Sequence, residues 1–269
     1  IELIGDLPIF VAHHSADVWA NPELFHLDEN GLPAVVAGVP PDYFSKTGQK
    51  WNTVLYNWDA HKKSDWRWWR ERMARMLRLF DIVRIDHFRG FHSAWAVPRE
   101  AENGITGVWQ DGPKDEIIRH LIEVAGNENK IIAEDLGIIP QAVVDLRLRF
   151  NLRGMAILQF GFSDDSTENP HHPSNINDMQ IVYTGTHDND TLLGWWKSSD
   201  DGIKSKVRAV IGNSQDVVGS LIELAKNSAA SLCVIPLQDI LRLDASSRMN
   251  VPGVEQGNWQ WRFSWDDLK

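Results

Sequence analysis

The sequence predicts an α/β fold built from repeated βα units around an all-parallel sheet. Short apolar and β-branched runs recur along the 269 residues, and segments with helical spacing of apolar positions separate most of them. The predicted strands are almost continuously apolar, as is typical of parallel strands that are buried on both faces. No Gly/Ser-rich linker or internal repeat divides the chain. One large domain is therefore expected, and both a (β/α) barrel and a doubly wound sheet fit.

Six strands and four helices are predicted from these patterns. The strands lie near residues 3–4, 82–85, 130–133, 155–160, 180–183 and 231–235. The helices are expected over residues 65–80, 114–124, 141–150 and 215–230. Pro113 and Pro140 stand at the starts of the second and third helices, and Asn213 with Ser214 forms a cap signal before the fourth.

The connection between the first two strands is unusually long. Residues 12–64 contain Pro22, Pro33, Pro40 and Pro41 together with several glycines, and they show little helical periodicity. A connection of this length inside a compact domain is usually a functional lid or an inserted subdomain. We therefore expect residues 12–64 to form an inserted loop or lid region within a domain that spans residues 1–269.

Composition excludes several classes of partner and site. The chain carries 27 Lys+Arg against 37 Asp+Glu, a formal net charge of -10, and it has no basic run. Neither a nucleic acid nor an acidic lipid surface is therefore an expected partner. No apolar run approaches the ~18 residues of a membrane helix, so no membrane partner is expected either. The single cysteine, Cys233, excludes an intramolecular disulfide framework and a cysteine-rich metal site, which favours a reducing compartment.

Acidic residues follow four of the predicted strands. These residues are Asp6, Asp86, Glu134 and Asp188. In a parallel barrel the carboxyl ends of all strands lie on one face, where reactive groups gather. A carboxylate after a strand can instead be a helix N-cap or a solvated loop residue. We keep this second interpretation for Asp135 and Asp190.

Two of these carboxylates have neighbours that predict different protonation states. Arg84 lies two residues before Asp86 on the same face of a strand, and a neighbouring guanidinium keeps a carboxylate ionised, as a nucleophile must be. Glu134 follows the apolar residues 131–133, and an apolar setting near other carboxylates raises the pKa of a carboxyl toward that of a proton donor. Glycosidic chemistry requires two carboxyl groups in such unlike environments.

Tryptophan is abundant, with 13 residues in the chain. Trp66 and Trp69 lie on a predicted helix and are expected in the core, because aromatic side chains bury a large area. Four other aromatic residues, in the 12–64 region, are Tyr43, Phe44, Trp51 and Trp58. Their flat rings would suit the apolar faces of sugar rings, but they could equally anchor the loop. The sequence leaves both possibilities open.

Competing signals for other chemistry are weak. The chain has no GxGxxG after a strand, no GxxxxGK[ST] and no HExxH. The pairs His13-His14 and His171-His172 are adjacent, and neighbouring side chains on an extended chain point to opposite sides. Because no metal-ligand spacing is present, we interpret both pairs as surface loop residues and expect no metal site.

Six segments distributed along the chain form a specific pattern. They are IGDLPIFVAHHSADVWANPELF, GVPPDYFSKTGQKW, VRIDHFRGF, IIAEDLG, YTGTHDNDT and MNVPGVEQGNWQWR. Together, and in this order, they resemble the 4-α-glucanotransferases, the family of bacterial amylomaltase and the plastid disproportionating enzyme. The resemblance extends from residue 1 to about Phe263.

The resemblance implies a (β/α)8 TIM barrel, of which this chain covers about strands 3 to 8, the first two strands lying upstream of Ile1. It assigns the nucleophile to Asp86, the general acid/base to Glu134, and binding of the donor sugar with stabilisation of the transition state to Asp188. The substrate-binding residues that it implies are Asp6, Arg84, His187, Tyr43, Phe44, Trp51 and Asn258.

The expected activity is transfer of α-1,4-glucan segments by a retaining mechanism without metal or organic cofactor. The implied partners are α-1,4-glucans, maltooligosaccharides and glucose as acceptor, in the bacterial cytoplasm or in a plastid. Three alternatives stay open: an amylase-like α-glucan hydrolase, a non-catalytic glucan-binding fragment and a metal-dependent barrel hydrolase.

One segment departs from the family pattern. After GQKW the family usually continues with Gly-Asn-Pro, whereas this chain has Asn52, Thr53 and Val54. Replacing a glycine and a proline changes the backbone preferences of the predicted lid. We expect this difference to change the length of the products or the balance between hydrolysis and transfer.

Overall fold

The computed structural model describes residues 1–41, 45–164, 167–254 and 256–268. The chain divides into two compact units, Ile1–Gly154 and Met155–Lys269. Within the described ranges no helix has the length and apolar character needed to cross a membrane.

The described residues of the first unit form helices and two separate sheets. In chain order its helices and strands are β1 (Ile4–Pro8), α1 (Ala16–Ala20), β2 (Val35–Val39), β3 (Gln49–Val54), α2 (Trp58–Lys63), α3 (Arg67–Leu77), β4 (Ile82–Asp86), β5 (Ser93–Pro98), β6 (Val108–Asp111), α4 (Asp115–Ala125), β7 (Ile131–Ala133) and α5 (Gln141–Arg149). The three helices predicted in this part of the chain correspond to α3, α4 and α5.

One sheet of this unit is parallel and has the order β1-β4-β7. Asp6 pairs with Arg84, and Ile85 pairs with Ala133, so the carboxyl ends of the three strands lie side by side. β4 alternates, with Val83 and Ile85 buried and the polar residues on the other face, whereas β7 is buried throughout. The prediction of almost continuous burial is therefore correct for β7 and wrong for β4.

The other sheet is antiparallel, with the order β3-β2-β5-β6. The prediction of an all-parallel sheet is wrong for this part of the chain. Two of its strands, β2 and β3, lie within the 12–64 region, and β3 has the sequence QKWNTV, in which only Trp51 and Val54 are apolar. All four strands have only four to six residues, and β3 and β6 are rich in polar residues. Such short strands give little periodic signal, so the sequence patterns do not predict this sheet.

An aromatic cluster fills the core between β3 and α3. Trp66 and Trp69 are buried, as predicted. The Tyr56 ring lies 4.7 Å from the Trp58 ring and 5.4 Å from the Trp69 ring, measured between centroids. The Tyr56 hydroxyl donates a hydrogen bond to the Ile9 carbonyl oxygen at 2.5 Å. Trp58 therefore anchors its segment to the core, the second of the two interpretations that the sequence left open.

The residues that depart from the family pattern are accommodated by the antiparallel sheet. Asn52 has a φ of 58°, in the left-handed region that asparagine tolerates better than most non-glycine residues. Val54 is buried, and its N–H donates to the Val11 carbonyl oxygen at 3.1 Å. A proline at position 54 has no N–H and could not make this hydrogen bond.

The second unit contains three more strands and four helices in its described part. They are β8 (Gly154–Ile157, of which Gly154 belongs to the first unit), β9 (Gln180–Tyr183), α6 (Leu192–Ser198), α7 (Asp201–Ile211), α8 (Val217–Lys226), β10 (Leu232–Val234) and α9 (Leu237–Ile240). The sheet order is β10-β9-β8, and β9 and β10 are parallel.

The sequence locates these strands well but misjudges some boundaries. β8 is shorter than predicted, because a 3-10 turn begins at Leu158. The cap of α8 is Asp216, whose carboxylate accepts a hydrogen bond from the Gly219 N–H at 2.8 Å. The predicted cap at Asn213 and Ser214 is therefore too early. α6 and α7 were not predicted.

Asp135 and Asp190 have different environments. The carboxylate of Asp135 forms an ion pair with Arg147 Nε at 2.9 Å, and the two side chains are only 10% and 8% exposed. Its interpretation as a cap or solvated loop residue is wrong, because the side chain is buried and is paired with a residue of α5 twelve positions farther along the chain. Asp190 lies at the start of α6, and its Oδ1 accepts a hydrogen bond from the Thr191 N–H at 2.7 Å.

We predict that the Asp135–Arg147 ion pair is a major determinant of the stability of the first unit. The Asp135→Asn or Arg147→Met substitution alone should lower the free energy of unfolding by about 3–5 kcal/mol, because one buried charge loses its partner. The double substitution should cost less than the sum of the two. Urea denaturation followed by tryptophan fluorescence measures these values.

The matched control is Lys226→Met, which breaks the exposed pair between Lys226 and Glu223. It should change the free energy of unfolding by about 0–1 kcal/mol. If Arg147→Met lowered the free energy of unfolding by no more than this control does, the prediction would be contradicted.

Candidate active site

Arg84 connects the carboxylates of two neighbouring strands. Its Nη1 lies 2.6 Å from Asp6 Oδ1 on β1, and its Nη2 lies 2.8 Å from Asp86 Oδ1 on the same strand, β4. The Arg84 side chain is 12% exposed, whereas that of Asp86 is 43% exposed. Alternation along β4 directs residues 84 and 86 to the same face, as the sequence predicts. The site therefore presents an accessible carboxylate held by a largely buried cation.

The charges around Arg84 determine its protonation state. Burial alone would lower the pKa of the guanidinium, but the negative charges of Asp86, Asp6 and Glu134 raise it above its ordinary value. Arg84 is therefore a permanent cation between two carboxylates. A carboxylate oxygen that accepts such a charge-assisted hydrogen bond is held in one orientation.

Glu134 directly follows the neighbouring strand β7 and lies in a different environment. Its side chain is buried, because the residue follows Ala133 at the end of a strand that is buried throughout. Oε2 accepts a hydrogen bond from the His87 N–H at 2.6 Å, and Oε1 accepts one from the Leu136 N–H at 2.8 Å. Both carboxyl oxygens are thus fixed by backbone groups.

The pKa of Glu134 is raised from 4.5 to about 7. Burial is the main cause and the negative charge of Asp86 adds to it, while Arg84 and the two backbone N–H groups oppose the shift. This is the direction that the apolar sequence before Glu134 predicts. A carboxyl group with this pKa can both donate and accept a proton near neutral pH.

His87 shapes the turn between these two carboxyl groups. Its backbone has a φ of 53°, and this left-handed conformation directs its N–H to Glu134. The imidazole lies 4.8 Å from the Trp51 ring and 6.2 Å from the Phe10 ring, measured between centroids. Burial, aided by the charge of Arg89, lowers the pKa of His87 to about 3. The ring is therefore neutral, and Trp51 lies beside the turn that follows Asp86.

The candidate residues His187, Asp188 and Asn258 lie in the second unit. Asp188 Oδ1 accepts a hydrogen bond from Asn250 Nδ2 at 2.6 Å, and Oδ2 lies 3.4 Å from His187 Nε2. Arg248 Nη2 donates to the Asp188 carbonyl oxygen at 2.6 Å. The ring of Trp259 lies 5.1 Å from that of His187. The segment around residue 250 thus holds the loop that carries His187 and Asp188.

Asn258 stabilises its own loop. Its side-chain oxygen accepts a hydrogen bond from the Val251 N–H at 3.0 Å, and its Nδ2 donates to the Val254 carbonyl oxygen at 2.7 Å. Asn258, Trp259 and Asn250 line a shallow pocket in this unit. Tyr43 and Phe44, which the sequence also proposes for substrate binding, lie outside the described residues.

Sequence reasoning missed Arg248 and Asn250 as neighbours of Asp188. They are separated from it by 60 and 62 positions and follow no predicted strand. The signal that could have identified Asn250 is the MNVPG sequence, which lies within one of the family-like segments, and Arg248 directly precedes it.

His171 lies in a turn, but it is partly buried and is not the surface residue that was predicted. Its Nδ1 accepts a hydrogen bond from the Ile157 N–H at 3.3 Å, and its ring packs against Phe160. Burial lowers the pKa of His171 to about 4. Among the residues that the structure describes, no group of three or more His, Cys, Asp or Glu side chains is arranged to hold a metal ion.

Comparisons with known proteins show the family of the chain. A family profile described as 4-alpha-glucanotransferase matches residues 1–267. The chloroplastic/amyloplastic 4-alpha-glucanotransferase of Solanum tuberosum is 48% identical over 274 residues, covering 100% of this chain and 47% of the relative. The 4-alpha-glucanotransferase of Thermus thermophilus is 46% identical over 272 residues, covering 98% of this chain and 54% of the relative.

A solved structure gives the same result. The amylomaltase of Streptococcus agalactiae, solved in complex with acarbose, is similar with a TM-score of 0.95 and 36% sequence identity, covering 100% of this chain and 55% of that chain. This chain therefore spans about half the length of the relatives that it matches. The resemblance drawn from the six segments is confirmed. The chain belongs to glycoside hydrolase family 77, the 4-alpha-glucanotransferase family.

Proposed function

We propose that the native protein containing this chain is a 4-α-glucanotransferase that moves α-1,4-glucan segments between maltooligosaccharides. The observation that carries the proposal is the pair of unlike carboxyl groups: Asp86, half-exposed and held by Arg84, and Glu134, buried with a pKa of about 7. Retaining glycosidic chemistry needs one ionised and one protonated carboxyl group. Membership of the family supports the same activity.

The proposed reaction is a double displacement. Asp86 attacks the anomeric carbon of the donor sugar while the protonated Glu134 donates its proton to the leaving glycosidic oxygen, which releases the first product and leaves a covalent glycosyl-enzyme. Glu134, now ionised, removes the proton from the 4-hydroxyl of an incoming sugar. That oxygen attacks the anomeric carbon, the bond to Asp86 breaks, and a new α-1,4 bond forms with Glu134 protonated again.

The remaining residues are proposed to bind substrate. Asp188 binds the donor sugar and stabilises the transition state, and His187 assists it; the hydrogen bond from Asn250 supports this role because it fixes one carboxylate oxygen. Asp6 is half-exposed beside Arg84 and is available to sugar hydroxyls. We also propose that the substrate contacts Tyr43, Phe44, Trp51 and Asn258.

Transfer requires that an acceptor sugar, rather than water, reaches the glycosyl-enzyme. We propose that residues 12–64 act as the lid that excludes water and positions the acceptor, with glucose as the smallest acceptor. The packing of Trp51 against His87, the residue after Asp86, supports this role because it brings a ring of the region next to the nucleophile.

We further propose the architecture and compartment that the family suggests. The six strands predicted from the sequence would be strands 3 to 8 of a (β/α)8 barrel whose catalytic domain includes residues 1–269. The native protein would act in the bacterial cytoplasm or in a plastid; its similarity to the chloroplastic/amyloplastic enzyme of Solanum tuberosum supports the second possibility.

We expect the native protein to convert maltotriose into glucose and longer maltodextrins. The Asp86→Asn substitution should lower kcat by roughly 10³-fold or more, because the amide cannot form the glycosyl-enzyme. Chromatography of the products over time measures both results.

The matched control is Asp178→Asn, which neutralises an exposed aspartate on a loop of the second unit and should leave kcat unchanged. Products that are only shorter than maltotriose would show hydrolysis and contradict transfer. Near-normal activity of Asp86→Asn would remove the nucleophile assignment.

The pH dependence should follow the pKa of Glu134. Its carboxyl must be protonated for the first displacement, and the protonated fraction falls as the pH rises through a pKa of about 7. kcat/KM for the donor should therefore decline above about pH 7, tenfold for each further pH unit. A profile measured from pH 5 to 9 tests this.

Glu134→Gln is the informative variant for this profile. Its residual kcat/KM should lose the alkaline decline, because the amide does not titrate. An alkaline limb that persists at the same pH in this variant would assign the titration to another group.

A further inference from the structure

Arg89 links the two segments that carry the candidate catalytic carboxyl groups. It lies three residues after Asp86, in the 3-10 turn Phe88–Phe91, and its side chain is only 8% exposed. Its Nη1 donates a hydrogen bond to the carbonyl oxygen of Ile138 at 2.7 Å. Ile138 lies four residues after Glu134 in the loop that follows β7. One side chain thus spans from the turn after β4 to the loop after β7.

Trp109 covers the guanidinium of Arg89. The Arg89 Cζ lies 4.1 Å from the centroid of the Trp109 ring. Trp109 lies on β6, and its ring packs 5.0 Å from that of Trp95 on β5, whose Nε1 donates to the Gly104 carbonyl oxygen at 2.8 Å. A cation over an aromatic face is stabilised by the ring quadrupole, most strongly when it is shielded from water. The antiparallel sheet therefore supports the side chain of Arg89.

The loop that Arg89 holds also carries a hydrogen-bond donor to the acid/base. The Leu136 N–H donates to Glu134 Oε1 at 2.8 Å. On the opposite side, the turn contributes the His87 N–H to Oε2 and the Phe88 N–H to the Glu134 carbonyl oxygen at 3.1 Å. The loop and the turn therefore fix the Glu134 carboxyl from two sides, and the Arg89–Ile138 hydrogen bond joins them.

We propose that Arg89, supported by Trp109, is a positioning residue that fixes the loop after Glu134 and thereby orients the acid/base carboxyl relative to Asp86. The inference rests on the proposed function for its consequence in catalysis. In this role Arg89 itself contacts neither the substrate nor the reacting atoms.

Loosening of the loop after β7 would change the protonation of Glu134. Backbone N–H groups that donate to a carboxylate favour its ionised form. If the loop loosens, the Leu136 N–H no longer opposes the raised pKa, and the pKa of Glu134 rises further. The other groups that face Glu134 in this unit are Asp86 and Arg84 on β4, with Asp6 on β1 paired to Arg84, and the neutral His87.

Three variants of the native protein containing this chain test the proposal. In Arg89→Met, kcat with maltotriose should fall roughly 10- to 100-fold while KM stays within about twofold, because a small displacement of a catalytic group slows the chemical step. The alkaline limb of kcat/KM should move to higher pH by about half a unit to one unit. Trp109→Leu should show a smaller change in the same direction, and Arg89→Lys, which can still donate to Ile138, should recover part of kcat.

The matched control is Arg119→Met. Arg119 also stacks over an aromatic ring, that of Phe150 at 5.7 Å, but it lies on α4 and is exposed. It should leave kcat and the pH profile unchanged. Thermal denaturation of every variant separates a loss of folded protein from a loss of rate.

Titration of the Glu134 carboxyl by ¹³C NMR decides the proposal even if maltotriose is not a substrate. A higher pKa in Arg89→Met than in the wild type supports it. Folded Arg89→Met and Trp109→Leu variants with an unchanged kcat, pH profile and Glu134 titration would overturn it. A wild-type protein that does not disproportionate maltotriose would contradict the proposed function instead.

Discussion

The double ion pair of Arg84 is the interaction on which the candidate site depends. A guanidinium that is only 12% exposed must be neutralised by nearby charge. Asp6 on β1 and Asp86 on β4 supply this charge, so the register in which Asp6 pairs with Arg84 is also the register that completes the site. The same pairing orients Asp86 while leaving almost half of its side chain accessible. Pairing of β1 with β4 thus also positions the proposed nucleophile.

Glu134, which follows the neighbouring strand β7, lies near the same charged groups, but their effect on its protonation is different. Glu134 lies beside Asp86 at the end of β7, but it has no guanidinium of its own, and burial dominates its protonation. Its charge is balanced only in part by two backbone N–H groups from the turn after β4 and the loop after β7. The site therefore combines a half-exposed carboxylate paired with a guanidinium and a buried carboxyl group with a raised pKa. This contrast, rather than the presence of two acidic residues, supports the proposed glycosyl transfer.

Sequence patterns predict features that depend on neighbouring residues, but not contacts between residues far apart along the chain. The strand-end positions of Asp86 and Glu134 were predictable, because parallel βα units repeat a local pattern and side chains alternate along a strand. The partners of Asp135 and Asp188 were not, since Arg147 lies on a different element and Asn250 is 62 positions away. β6, with only four residues, gave no periodic signal, so neither the antiparallel sheet nor the support that Trp109 gives to Arg89 was foreseen. Some of these residues lie in family-like segments, but the segments do not indicate which residues they contact.

The most direct test of the account is to trap the glycosyl-enzyme. The Glu134→Gln variant of the native protein should react with α-maltotriosyl fluoride, whose leaving group needs no proton donor, and should then stall because no base activates the acceptor. Mass spectrometry of a protease digest should find the maltotriosyl adduct on the peptide that contains Asp86, and fragmentation should locate it on that residue. An adduct on another carboxylate, or turnover of the fluoride without any adduct, would contradict the assignment of Asp86 and Glu134.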